Sequence, residues 1–273
     1  MTNMDEYITK LRSLENYLHF GMDVSEQTKG RQNVPWKLAR AHQLYNRMTV
    51  SCMSFVHLLP MNLPFKTKAE FWDFFSVASL TRNILENYLT LFYIGVDNVS
   101  KEESDFRLAI FQFHLNSEKF RLYQEFGESV ENLKDFAENL PRDKEKIRTN
   151  TYFNSINKAK AASILKGNDF MYLTKHEIFA KIPFKTDEFT PMYRLLSNHT
   201  HSTPFAFYTQ SNERGRGLEN ATEVAYITMC IDLVTKYLLA AILDVIAMFP
   251  DCEAGLHPQK VKIVREEFEK LRQ

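Results

Sequence analysis

A short run in the second half of the chain combines one arginine with two histidines. The run, YRLLSNHTHSTP, places Arg194 five residues before His199 and seven before His201. A histidine exchanges protons near neutral pH, and an arginine holds the negative charge that develops on phosphate oxygens. These residue types at this spacing predict a site that cleaves a phosphodiester without a metal ion.

Helical geometry separates the two histidines. A helix turns about 100° per residue, so His199 lies about 140° around the axis from Arg194, whereas His201 lies within about 20°. Asn198 shares the face of Arg194 at about 40°. If the helix continues to His201, these three residues form one polar strip and His199 points elsewhere. The alternative is a chance spacing, in which His199 is a surface residue and His201 caps the helix C-terminus.

Two further groups of polar residues are placed to support the strip. Arg82 and Glu86 lie four residues apart in the apolar segment LTRNILENYLTLFYI, so they share a helix face. They are either an ordinary surface ion pair or a pair that orients Arg194 or His201. Arg214 and Arg216 follow in the glycine-bearing sequence NERGRG. Those two arginines are either solvated or a clamp for a phosphate backbone.

The elements that must position these residues are predicted to be helices. Gly (8) and Pro (9) are scarce among 273 residues, Phe (22) is frequent, and no segment alternates with a period of two. We predict one all-α domain over residues 1–273, a bundle of roughly seven to nine helices without a sheet. N-terminal helices in about residues 1–60 pack on a core of about residues 66–250, and residues 258–273 form a C-terminal helix.

The helix boundaries follow from capping and breaking residues. Thr67–Glu70 and Ser100–Glu103 match the capping-box pattern, and prolines and glycines mark several ends. Residues 205–219 are predicted to be an exposed loop. The predicted helices span, in order, about 5–25, 35–59, 68–95, 100–127, 131–136, 142–165, 188–201, 220–249 and 258–273.

Composition limits the classes of function. The 34 basic and 34 acidic residues cancel, which argues against a protein that coats nucleic acid but not against an enzyme that engages one or two phosphates. Cys52, Cys230 and Cys252 form no CxxC pair, and such sparse cysteines fit a reducing compartment. Charges interrupt the apolar tract Val224–Phe249, so we expect a buried helix, no membrane span and a cytoplasmic protein. No paired Glu-x-x-His motif or Gly-rich phosphate loop occurs, so we predict neither a metal nor a cofactor.

The same motifs resemble a known group of proteins. An all-α bundle with Arg-x4–6-His near the end of a helix resembles the HEPN superfamily. Within it, RNILE on an upstream helix followed by YRLLSNHTHSTP is similar to the DUF5677 group, where a Tyr-Arg-Leu-Ser run precedes a histidine, a small residue and a proline. Leu195 stands where many HEPN nucleases carry a polar residue. The matching positions are Tyr193, Arg194, Leu196, Ser197, His201 and Pro204.

This resemblance implies a metal-independent endoribonuclease that serves as a toxin or as an effector in antiviral defence against phage. It implies an RNA substrate, a homodimer whose two motifs meet in a cleft, and an antitoxin or another defence-system protein as partner. Other members are non-catalytic binding or dimerisation modules, which is the alternative expectation. We interpret His201 as the general base or acid and Arg194 as the group that stabilises the phosphate. The predicted supporting residues are Asn198, Ser197, Tyr193, Arg82, Glu86 and His199.

Overall fold

The computed structural model describes residues 3–62, 70–183, 189–201, 203–208, 210–211 and 214–272. Within these ranges every regular element is a helix, and the only extended pairing is an isolated bridge between Trp72 and Gly217. The predicted all-α fold without a sheet is therefore confirmed. The α-helices are α1 (Asn3–Thr28), α2 (Trp36–Leu58), α3 (Phe74–Leu91), α4 (Lys101–Glu125), α5 (Val130–Arg148), α6 (Lys158–Leu165), α7 (Lys175–Phe179), α8 (Phe189–Thr200), α9 (Pro204–Tyr208), α10 (Ala221–Met248) and α11 (Pro258–Arg272). A π-helical turn at Phe92–Val96 follows α3, and 3-10 turns occupy Thr151–Ser155 and Pro250–Gly255.

Side-chain caps determine where several helices begin. The Ser100 side chain accepts a hydrogen bond from the backbone N–H of Glu103 at 3.2 Å, as its capping-box pattern predicts. Thr67, the first residue of the other predicted capping box, lies outside the described residues. The prediction that the next helix starts near residue 68 is wrong, because α3 begins at Phe74, where the Asp73 carboxylate accepts from the N–H of Ser76.

The chain forms two compact units, and the first combines residues 1–96 with residues 179–273. Its centre is α10, whose apolar residues are buried against α1, α2 and α3. The helix α3 packs in turn on α2, α8 and α10, so it is held by several neighbours along its length. The candidate residues of α3 and α8 therefore lie on two helices that pack directly together.

The second unit consists of residues 97–178. Its small core comes from α4, α5 and α6, which bury the side chains of Phe106, Ile110, Phe113, Ile147 and Ile164. The prediction that residues 1–273 form a single domain stays a prediction.

A buried ion network lies at the start of α4. Arg107 is 2 % exposed, and its Nη2 atom lies 2.6 Å from both Asp97 Oδ2 and Glu103 Oε1. The Tyr172 hydroxyl donates to the same Glu103 oxygen at 2.5 Å. Both carboxylates in this network therefore take their compensating charge from one guanidinium.

Two predicted boundaries in this second unit are wrong. We predicted separate helices on either side of Pro141, yet α5 continues through it. Proline removes one backbone hydrogen bond, and the turns on both sides of Pro141 keep theirs. We also predicted one helix over 142–165, but the chain leaves the helix after Arg148. Asn150 and Asn157 then cap a 3-10 turn and α6 through their side chains, which offer the backbone an alternative to a continuous helix.

The central helix α10 carries charged residues among its apolar ones. Asp232 Oδ2 pairs with Lys10 Nζ at 2.6 Å, and Asp244 Oδ2 accepts a hydrogen bond from the Tyr88 hydroxyl at 2.9 Å. Among the described residues, no helix combines the length and the apolarity that crossing a bilayer requires. Burial raises the pKa of Asp244 to about 7, although the Tyr88 hydrogen bond acts in the opposite direction.

We expect this carboxyl group to make the stability of the fold depend on pH. Its pKa is higher in the folded than in the unfolded chain, so its contribution is full below about pH 4 and is lost as the pH rises through about 7. Asp244→Asn should therefore gain stability relative to the wild type as the pH rises from 5 to 8. Urea unfolding at a series of pH values measures this difference. Asp232→Asn is the matched control, since it removes a half-exposed carboxylate from the same helix; a parallel gain in both variants would contradict the assignment to Asp244.

Candidate functional site

The contact at the centre of the candidate site joins α3 to the end of α8. Arg82 Nη1 lies 2.7 Å from His201 Nε2. A guanidinium only donates hydrogen bonds, so Nε2 must be the acceptor and the ring proton must lie on Nδ1. The sequence left open whether Arg82 and Glu86 form an ordinary surface ion pair or orient Arg194 or His201. The structure brings Arg82 into direct contact with His201.

Glu86 and Tyr193 complete a network around Arg82. Glu86 Oε1 lies 3.1 Å from Arg82 Nη2, and it accepts a hydrogen bond from the Tyr193 hydroxyl. Arg82 also donates to that hydroxyl at 3.2 Å, and its guanidinium lies 5.2 Å from the centre of the Tyr193 ring. The Phe189 ring also stacks on the Tyr193 ring, at 5.3 Å between ring centres. The carboxylate of Glu86 and the ring and hydroxyl of Tyr193 therefore hold the Arg82 side chain in place.

The helical hydrogen-bond pattern reaches His201. α8 ends at Thr200, but the backbone N–H of His201 still donates to the carbonyl of Ser197 at 3.2 Å. His201 therefore keeps the rotational position that places it on the face of Arg194. Both side chains are exposed, and the guanidinium of Arg194 makes no hydrogen bond or ion pair with a described residue. The structure thus leaves Arg194 accessible, while His201 is bonded to Arg82 rather than to Arg194.

Two other predicted supporting residues are engaged within α8 and the turn that follows. The Ser197 hydroxyl donates to the carbonyl of Tyr193 at 2.7 Å. The Asn198 amide donates to the carbonyl of Arg194 at 2.9 Å and accepts from the Thr203 hydroxyl at 2.8 Å. These bonds stabilise the helix end that carries His201. The role of Thr203 was missed, although a hydroxyl just before Pro204 is a common turn signal.

His199 points away from the strip, as the helical angle predicts, and the alternative of a surface residue is wrong. Its ring is 3 % exposed and lies 4.7 Å from the Phe74 ring and 5.0 Å from the Phe75 ring, centre to centre. Neither ring nitrogen has a hydrogen-bond partner among the described residues. Burial, together with the charge of Arg214, lowers the pKa of His199.

The predicted substrate-binding arginines differ in their surroundings. Arg214 Nε lies 3.2 Å from Glu223 Oε1, a carboxylate that is 1 % exposed, and its guanidinium lies 5.0 Å from the centre of the Tyr226 ring. Arg216 is exposed. The role of both in binding a substrate stays a prediction, and Arg214 would have to leave a buried carboxylate to perform it.

The segment that contains these arginines is not a simple loop. The prediction of a loop over residues 205–219 is wrong for its first turn, because Pro204 starts the short helix α9. The backbone near Arg216 pairs with another part of the chain. The N–H of Trp72 donates to the carbonyl of Gly217 at 3.1 Å, and Gly217 adopts a φ of 76° that favours glycine. The segment is therefore tied to the residues that precede α3.

An open pocket of about 630 Å³ is lined by residues of α3 and α8. Its lining includes His199 and several polar side chains that recur at helical spacing along α3. The spacing of these polar residues is visible in the sequence, but we did not associate them with the polar strip of α8. In the described part of the chain, no group of three or more His, Cys, Asp or Glu side chains is placed to hold a metal ion. The remaining residues that line the pocket are Phe75, Ser76, Ser79, Leu80, Asn83 and Thr200.

Comparison with known proteins identifies the group to which these residues belong. The model of the family described as "Family of unknown function (DUF5677)" matches residues 39–216, a range that includes α3, α8 and the whole second unit. No curated protein and no solved structure matches the chain. Because the matched range covers more than half of the 273 residues, the chain belongs to the DUF5677 family.

Proposed function

We propose that the protein is a metal-independent endoribonuclease of HEPN type, which cleaves RNA through the ribose 2′-OH. The observation that carries this proposal is the 2.7 Å contact between Arg82 Nη1 and His201 Nε2, at the end of a helix that exposes Arg194. The contact gives one exposed histidine a defined orientation beside Arg82, on the helix face that also carries Arg194. Cleavage of a phosphodiester needs a group that transfers protons and a positive charge that stabilises the phosphate oxygens.

In this reaction His201 Nε2 accepts the proton of the ribose 2′-OH. The 2′-oxygen bonds to phosphorus and the bond from phosphorus to the 5′-oxygen breaks, which leaves a 2′,3′-cyclic phosphate and a 5′-hydroxyl. The proton on the leaving oxygen comes from a protonated imidazole of a second copy of the chain, or from water. Arg194 holds the negative charge that builds on the phosphate oxygens in the transition state.

The Arg82–His201 hydrogen bond occupies the lone pair that this mechanism uses. A phosphate is a stronger partner for a guanidinium than a neutral imidazole is, because both members are charged and the bond can be bidentate. We infer that an RNA phosphate draws Arg82 away from His201 and so frees Nε2 as a base. Glu86 and Tyr193 then keep Arg82 near the phosphate.

The biological role that we propose follows the HEPN resemblance. The protein acts as a homodimer in the cytoplasm, as a toxin or as an effector of antiviral defence. An antitoxin or another defence-system protein controls it. The support is the match of Tyr193, Arg194, Ser197 and His201 to the family motif, in a chain that belongs to DUF5677.

RNA cleavage by the purified protein tests the proposal. We expect cleavage in excess EDTA, none of DNA of the same sequence, and a 2′,3′-cyclic phosphate end on the product. Arg194→Ala should lower kcat by about 10²- to 10³-fold, the usual effect of removing one transition-state donor. Arg47→Ala, which removes an exposed arginine from α2, is the matched control. Equal cleavage or equal cell toxicity by Arg194→Ala and the control would contradict the proposal.

A non-catalytic binding or dimerisation module is the second candidate. One observation favours it: Arg82, Glu86, Tyr193 and His201 bond to one another, as they would in a purely structural network. Tyr193→Phe keeps the ring but removes the hydroxyl that bonds Glu86. A lower melting temperature or weaker dimerisation in this variant, in a protein with no RNA phenotype, would support the module.

A further inference from the structure

The feature that the proposed reaction leaves unexplained is the buried imidazole of His199. Its two nitrogens have no hydrogen-bond partner among the described residues, although the side chain is only 3 % exposed. Buried polar atoms are nearly always hydrogen-bonded, and leaving both nitrogens unpaired costs free energy. His199 therefore has an unused donor and an unused acceptor, and it is one of the residues that line an open pocket. Both nitrogens are buried, so a ligand in this pocket reaches them only after the ring turns toward it.

The rest of the pocket has polar groups with spare bonding capacity. The hydroxyls of Ser79 and Thr200 donate to carbonyls of their own helices, so their oxygens still have lone pairs that can accept. The exposed amide of Asn83 makes no hydrogen bond with a described residue, so it offers both a donor and an acceptor. Phe75 and Leu80 add apolar surface between these groups.

These properties limit the chemistry of a ligand. Burial disfavours a charged His199, so the imidazole presents one N–H and one lone pair. The described side chains that line the pocket include no Arg, Lys, Asp or Glu, so they offer no counter-charge for an ionic ligand. A matching ligand is planar and uncharged, with apolar faces and an edge that carries both donors and acceptors. A nucleobase has all of these features.

The position of the pocket connects it with the cleavage site. Asn83 follows Arg82 on α3, and Thr200 precedes His201 at the end of α8, so the pocket lining includes the sequence neighbours of both residues in the Arg82–His201 contact. We propose that this pocket binds the nucleobase next to the cleaved phosphate, with His199 and Asn83 hydrogen-bonded to the base edge. The position of the phosphate rests on the proposed ribonuclease function, but binding of the base does not.

Binding of nucleosides tests the pocket without any cleavage. Adenosine, guanosine, cytidine and uridine are titrated into the full chain, and the imidazole resonances are followed by NMR. We expect at least one nucleoside to bind, and His199→Phe and Asn83→Ala each to weaken it by about tenfold or more. The exposed His257, replaced by Phe, is the control. His199→Phe places an aromatic ring beside the rings of Phe74 and Phe75, so this variant should fold. Asn83 is exposed, so Asn83→Ala should fold as well.

Two results would overturn the pocket: no nucleoside binds the wild type, or both variants bind as the wild type does. A cleavage assay separates this proposal from the first one. Oligonucleotides with a single ribonucleotide and one varied neighbouring base should differ in kcat/KM, and His199→Phe should bring the ratios near one. If the protein cleaves RNA but His199→Phe does not change the kcat/KM ratios between bases, the nucleobase site is contradicted and the ribonuclease proposal stands. If nucleosides bind through His199 and Asn83 but the protein does not cleave RNA, the nucleobase site is supported and the ribonuclease proposal is contradicted.

Discussion

Replacing His201 by alanine is expected to lower kcat/KM for RNA cleavage by about 10²- to 10⁴-fold, the usual contribution of a positioned proton-transfer group. The side chain is exposed and lies at the end of α8, so the fold should lose little stability. Initial rates on a fluorescent RNA, together with the melting temperature, measure both effects. The exposed His257, replaced by alanine, is the matched control and should cleave RNA at the wild-type rate.

A second substitution separates proton transfer from structure. His201→Gln keeps an oxygen that can accept a hydrogen bond from Arg82, but an amide does not exchange protons near neutral pH. We expect this variant to recover any stability that His201→Ala loses and to remain as inactive. Recovery of activity together with stability would show that His201 acts only by holding Arg82, and that outcome would count against the proposed mechanism.

Replacing Arg107 by alanine is expected to destabilise the second unit by about 3–5 kcal/mol, because it leaves two carboxylates in a buried position without a compensating charge. Asp97 and Glu103 are 11 % and 13 % exposed in their side chains. Denaturant unfolding measures the loss, and hydrogen exchange in residues 97–178 locates it. Arg148→Ala on α5 is the control, since it removes a half-exposed arginine whose partner Glu145 lies 3.8 Å away, and it should cost less than about 1 kcal/mol.

The charge balance of the network gives a further test of the same idea. Asp97→Asn and Glu103→Gln, added to Arg107→Met, replace the three charges with neutral groups of similar size. Removing a whole buried ion network is often far less costly than removing one partner. We expect the triple variant to be more stable than Arg107→Ala. If Arg107→Ala costs no more than Arg148→Ala, the network does not stabilise this unit.

The sequence predicted the local arrangement of the site better than its long-range contacts. The turn of about 100° per residue placed His201 on the face of Arg194 and directed His199 away from that face. In the structure the helical hydrogen bonding reaches His201, and His199 is buried. This succeeded because the angle between two residues of one helix depends only on their separation. The contact between Arg82 and His201 depends on how α3 and α8 pack, which no local pattern contains.

The errors in the fold have the same physical origin. Pro141 ends a helix in most contexts, but packing of α5 against α4 offsets the hydrogen bond that proline removes. The side chains of Asn150 and Asn157 cap the starts of a 3-10 turn and of α6, which divides the segment that we predicted as one helix. A periodic apolar pattern gave no sign of these new starts. The pocket beside His199 was missed because its lining comes from two helices that are far apart in the sequence.

The chain order of the two units has a consequence for protein synthesis. Arg82 and His201 are 119 residues apart in sequence, and the whole second unit is translated between them. A ribosome releases α3 first, then residues 97–178, and only afterwards α8. The Arg82–His201 pair therefore cannot form before α8 has left the ribosome. For an enzyme that cuts RNA, as we propose, this order keeps the growing chain inactive until that point of its synthesis.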